Sequence, residues 1–178
     1  GYATANKSAI NTFRHYARFM NAGYRPLPSS IIAEGTDIWN GAGDRGDAAM
    51  CANGAARYAL ARADRTEAEE LWPFVEWCLE YCRRNRTADG VVASDSDELE
   101  GRFPVGRTNL ATSSLYYDAL LSAAALGREI GVKPSQTNAY LRQARGLAAA
   151  IERFFGRDVA GYHAYRHSEI NDKLRAWI

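Results

Sequence analysis

Carboxylates crowd one short stretch of this 178-residue chain. Within SDSDELEGRF lie Asp95, Asp97, Glu98 and Glu100, followed by Arg102. Acids this close repel one another, so any that lose solvent should hold a proton more tightly than usual. A carboxylic acid that keeps its proton near neutral pH is what protonation of a glycosidic oxygen requires. The same composition suits a solvated acidic loop, and the residues by themselves leave both readings open. A calcium loop of the EF-hand kind does not fit, because the glycine at its sixth position and the glutamate at its twelfth are missing.

Two further stretches could take part in such chemistry. EGTDIWNGAGDRGD sets Glu34, Asp37, Asp44, Arg45 and Asp47 beside Trp39, and its glycines permit tight turns close to a ligand. It lacks the Lys–Ser/Thr ending of a phosphate loop. Asp47 is expected to cap a helix N-terminus, and Asp44 and Arg45 are expected to pair with each other. GRDVAGYHAYRHSEIND brings Tyr162, His163, Tyr165, Arg166, His167, Glu169 and Asp172. Aromatic rings among polar groups suit stacking on sugar faces and hydrogen bonding to hydroxyls. His163 and His167 stand four apart, but the interleaved tyrosines point to a loop or hairpin rather than a helical metal pair. Cys78 and Cys82 are one helical turn apart on an apolar stripe and read as small buried hydrophobes, and with Cys51 they make no disulfide framework. No metal or cofactor is expected, and there is no nucleophile elbow of the Gly-x-Ser-x-Gly kind.

These stretches need helices to hold them. In residues 66–86, Ala68, Leu71, Trp72, Val75, Cys78, Leu79 and Cys82 trace one apolar stripe, with Pro73 expected to kink it and Thr66 and Glu69 forming a capping box. Leu141, Ala144, Leu147, Ala148, Ile151, Phe154 and Phe155 form a second stripe, ended by Gly156. Residues 47–63, rich in alanine, and 109–130 are small or apolar nearly all round, which predicts helices buried on several sides. A further helix is expected over 5–22. Short joints (64–65 and 131–134) alternate with long connections (23–46, 87–108 and 157–172), so consecutive helices pair antiparallel and the long loops gather on one face. The expected fold class is therefore all-α, in one domain spanning 1–178, with small-residue helices inside and amphipathic helices outside. The inner helices should be parallel, their N-termini and partial positive charge converging on the loop face.

The net charge of +1, from 22 basic and 21 acidic residues, shows no basic excess of the kind a nucleic-acid binder carries. No apolar stretch approaches the roughly 20 residues of a membrane helix. Neither nucleic acid nor membrane is expected as a partner.

GDRGDAAM, SDSDELEGRFP, NLATSSLYYDALLSAA and GYHAYR…NDKLRAWI resemble bacterial six-hairpin glycosidases with an (α/α)6 toroid, in order from Trp39 to Ile178. The resemblance implies an inverting glycoside hydrolase acting on a carbohydrate at the N-terminal ends of the inner helices. Carried onto this chain, it makes Glu98 the first candidate for the acid, with Asp97 and Glu100 beside it. Trp39, Asp44, Arg45, Asp47, Asp95 and Arg102 would contact the sugar, and Tyr162, Tyr165 and Arg166 would line another wall. A closed ring needs more chain than this, so completion by the rest of a longer polypeptide or by self-association is expected. The second catalytic carboxylate would then lie beyond Ile178. The alternatives are a sugar epimerase using His163 and His167, or a non-catalytic helical-repeat interaction module.

Overall fold

The computed structural model describes residues 2–32, 37–41, 43–96 and 106–169. Five helices dominate: α1 (Tyr2–Ala17), α2 (Asp47–Arg62), α3 (Arg65–Arg84), α4 (Leu110–Ile130) and α5 (Pro134–Phe155). Two short antiparallel hairpins accompany them, β1 (Ser30–Ile32) with β2 (Asp37–Trp39), and β3 (Gly156–Val159) with β4 (Tyr162–Tyr165). The chain is thus mostly helical, with strands where only loops or an undecided hairpin were expected. The β3–β4 turn is Ala160–Gly161, both with positive φ (51° and 83°), as a two-residue turn matched to strand twist requires.

Helices α2 and α4 run parallel, as their side chains show at three levels. Gly46, just before α2, lies against Thr112 in the first turn of α4. Halfway along, Asn53 and Arg57 both donate to Asp118 Oδ2, at 2.5 Å and 2.9 Å. At the far end Ala59, Leu60 and Ala63 share a cavity with Leu126, Glu129 and Ile130. Ala48, Ala49, Ala52, Ala55, Ala56 and Ala59 are all buried, and small side chains there let neighbouring helices approach closely. Gly54 allows the same on the α1 side: a Cβ at that position would sit 3.2 Å from the Phe13 ring.

Helices α3 and α5 return antiparallel to α2 and α4. Tyr81, late in α3, reaches Asp44 ahead of α2, while Tyr58, late in α2, donates to Glu67 at the start of α3. Tyr116 donates to Gln143 across α4 and α5, and Thr137 packs on Gly127. All seven residues of the α3 stripe are buried, and the helix runs unbroken through Pro73. Phe74, Trp77 and Tyr81 widen that stripe, because residues before β1 lie over it. Tyr24 stacks on Trp77 at 5.4 Å, and Arg84 covers the Tyr24 ring at 4.2 Å. Cys78 and Cys82 are buried core residues whose thiols are pushed well up by burial; the Cys51 thiol is pushed up to about 12.

Several local expectations need correction. Helix α1 stops at Ala17 rather than near residue 22, because Asn21 turns the chain by accepting from the Arg25 amide at 2.8 Å. The α3 cap is Asp64, which accepts from the Glu67 amide at 3.1 Å. Thr66 lies inside the first turn, and Glu69 pairs with Arg65 at 2.7 Å. Ala148 is exposed rather than on the buried stripe of α5. Gly156 leaves α5 in extended conformation (φ −63°, ψ 139°) and starts β3.

Candidate functional site

The long connections meet one another at the N-terminal ends of α2 and α4. Asp44 anchors this meeting. Its backbone N–H donates to Asp95 Oδ2 at 2.8 Å, and its carbonyl accepts from the amides of Asp95 and Ser96 at 2.7 Å and 3.1 Å. Ser94 donates its amide to the Arg107 carbonyl at 2.9 Å, so the two ends of the acidic loop are held side by side. The third connection is joined next: Leu110 N–H donates to the His167 carbonyl at 2.9 Å, and the Arg107 amide donates to Glu169. Asn109, fully buried, ties the set to the helix. Its amide donates to Ser94 Oγ at 2.7 Å and the Ser96 carbonyl at 3.1 Å, while its oxygen caps α4 by accepting from Thr112 N–H at 2.8 Å.

Two buried carboxylates lie in this lattice. Asp44 accepts from the Tyr81 hydroxyl at 2.5 Å and from Gly46 N–H at 2.8 Å. Burial lifts its affinity for a proton despite these donors, and Asp95 adds to the rise. Tyr81 is lifted too, by burial and by the Asp44 charge, and so remains a neutral donor. Asp47 accepts from the Arg45 backbone N–H at 3.1 Å and pairs with its guanidinium at 3.3 Å. Burial outweighs these attractions and pushes the Asp47 carboxyl up to about 6.

The expected cap and pair at this helix are therefore both different. Gly46, in left-handed conformation, precedes α2, and Asp47 is the first helical residue with no side-chain cap bond. Arg45 pairs with Asp47, and Asp44 is taken by Tyr81 and Gly46. Arg45 also donates to the Ser29 carbonyl, which draws the chain just before β1 onto the same site.

Of the residues singled out in the sequence, Asp44, Arg45, Asp47 and Asp95 come together here. Trp39 stands at the end of β2, 41% exposed, with its indole folded over Gly41. Tyr162 and Tyr165 form a second group with α5: Tyr162 is 77% exposed, and the Tyr165 hydroxyl donates to Glu152 at 2.8 Å. Arg166 anchors that hairpin, donating to the Phe154 carbonyl at 2.9 Å and lying 4.4 Å over the Phe154 ring. Asp97, Glu98, Glu100 and Arg102, like Glu34 and Asp172, lie outside the described residues. What is described is the frame that holds both ends of their loop, Ser96 and Gly106.

Residues that the sequence reading passed over complete the site. Tyr81 and Asn109 carry its polar core. Asn109 had a local signal, an Asn three residues before Thr at the start of a helical stretch. Tyr81 had none, being 37 residues from its partner. Among the described residues no group of three or more His, Cys, Asp or Glu is arranged to hold a metal ion. No helix among them is long and apolar enough to cross a membrane. No protein-family model matches the chain, and no curated protein matches it.

Proposed function

We propose that this chain is part of an (α/α)6-toroid glycoside hydrolase that cleaves a carbohydrate with inversion through carboxylate acid/base chemistry. One observation carries the reading: the buried carboxylates of Asp44 and Asp47 and both ends of the acidic loop are gathered where two parallel helices begin. Helix N-termini favour negative charge and oriented anionic groups. Burial raises the proton affinity of Asp44 and Asp47, and an acid catalyst near neutral pH needs a shift in the same direction. In this reading Glu98 protonates the departing oxygen, with Asp97 and Glu100 as its neighbours. Asp44, Arg45, Asp47, Asp95 and Arg102 hold sugar hydroxyls, with Trp39 supplying a stacking face. Tyr162, Tyr165 and Arg166 form a more distant wall. Further hairpins, from a longer polypeptide or a second copy, complete the ring and supply the base.

The epimerase alternative draws less support. His163 has both ring nitrogens against carboxylates, at 2.9 Å and 2.8 Å. That arrangement favours the protonated ring over a free base.

The test is a panel of oligosaccharides and aryl glycosides incubated with the full-length polypeptide, with products followed by proton NMR. Cleavage that first releases the anomer of opposite configuration is the expected result. A folded protein that cleaves none of them overturns the reading.

A further inference from the structure

The β3–β4 hairpin meets α5 through a titratable cluster of which the proposed reaction uses only Tyr165. His163, on β4, has Nδ1 2.9 Å from Asp158 Oδ1 of β3 and Nε2 2.8 Å from Glu152 Oε1 of α5. The other oxygen of Glu152 accepts from the Tyr165 hydroxyl at 2.8 Å, and the Tyr165 ring meets the imidazole edge-on at 5.4 Å. A neutral imidazole has one N–H and one acceptor nitrogen. Two ionised carboxylates accept but do not donate, so only the imidazolium, with two N–H donors, satisfies both contacts. The same Glu152 and Tyr165 form one wall of a groove of about 410 Å³, whose other sides are Leu110, Ser114, Tyr117, Ala148 and Ile151.

We propose that His163 is a proton-operated clasp. Protonated, it bridges Glu152 and Asp158 and fixes the hairpin onto α5; deprotonated, it releases one of the two and loosens the Glu152–Tyr165 wall of the groove. The proton leaves to solvent, and no other group changes. This inference shares Tyr165 with the proposed sugar wall but does not require the glycosidase reading, since its test reads the histidine and the hairpin amides rather than turnover. The groups facing His163 are Asp158 from its own hairpin and Glu152 from α5, with Tyr165 beside it. Both carboxylates raise its proton affinity, Asp158 through its hydrogen bond most of all. Because the folded state holds the proton more tightly, the clasp is complete below the ordinary histidine value of about 6.5 and is lost as pH rises through the higher folded value. The cluster is solvent-exposed, so the effect is local to the hairpin rather than global.

The experiment is an NMR titration of the His163 ring in the full chain, together with amide hydrogen exchange across β3 and β4 at pH 6 and pH 8, corrected for intrinsic rates. The ring should titrate above 6.5, and Glu152→Gln and Asp158→Asn should each bring the midpoint back toward 6.5. Hairpin amides should lose several-fold protection between the two pH values in the native chain and show no such change in His163→Gln. A midpoint at or below 6.5 that neither variant moves overturns the bridge. A raised midpoint with exchange unchanged by pH overturns the clasp.

Discussion

Replacing Gly46 by alanine probes the place where α2 and α4 begin together. Gly46 has φ 87° and ψ 23°, a left-handed conformation. Holding an L-residue there costs about 1–2 kcal/mol. The added Cβ would also lie 2.5 Å from Thr112 Oγ1 and 2.9 Å from its Cγ2. Both atoms belong to a buried side chain whose neighbours leave it little room, so overpacking should cost about 1–3 kcal/mol more. Gly46→Ala should therefore lose about 2–5 kcal/mol in urea unfolding followed by circular dichroism and tryptophan fluorescence. Thr112→Ala removes the two closest atoms and leaves Cβ at 3.1 Å, a contact still tight enough to need a shift of a few tenths of an ångström. In the double variant most of the clash is relieved while the backbone strain stays, so a double-mutant cycle should give about 1–3 kcal/mol of favourable coupling. Coupling below about 0.3 kcal/mol would refute the reasoning, since additive sites do not touch. The parallel meeting of the two helix N-termini would fall with it.

Other perturbations separate the remaining parts of the account. Asp64→Ala should cost about 1 kcal/mol through loss of the α3 cap, whereas Glu69→Ala should cost only a few tenths, both read by chemical unfolding. Asp47 holds its proton more tightly folded than unfolded, so between about pH 4 and pH 6 the native state binds more protons and stability falls as pH rises. The rise from 3.8 to about 6 is worth up to about 3 kcal/mol. The stability difference between native chain and Asp47→Asn should shift by that order in favour of the variant from pH 4 to pH 7. A difference that stays flat with pH would mean that Asp47 is as solvated as an ordinary carboxylate.

The helices were legible because their patterns are local. The α3 stripe from Ala68 to Cys82 and the alanines of α2 from Ala48 to Ala59 predict burial that the structure bears out, whereas Ala61, part of the same run, is exposed. Short and long connections in alternation predicted the antiparallel pairs and the meeting of the loops at one end. Helix ends were less legible, since Thr66–Glu69 and Asp64–Glu67 both have capping spacing and only geometry selects Asp64. The β1–β2 hairpin was hidden, and β3–β4 stood only as a loop or hairpin, because strands of three or four residues carry too few alternations to register a period. At the site, the acidic composition of GDRGD was plain, but its pairing was not. Asp44 takes a donor from Tyr81 in the last turn of α3 rather than from adjacent Arg45, whose guanidinium goes to Asp47 and the Ser29 carbonyl.

The central claim is acid catalysis from the loop between Ser96 and Gly106, and Glu98→Gln in the full-length polypeptide tests it most directly. The variant should unfold at the native temperature yet lose about 10²–10⁴ in kcat on a glycoside with a poor leaving group, the usual contribution of a positioned general acid. Asp97→Asn and Glu100→Gln should be assayed alongside it. Near-native turnover in all three variants would contradict the account.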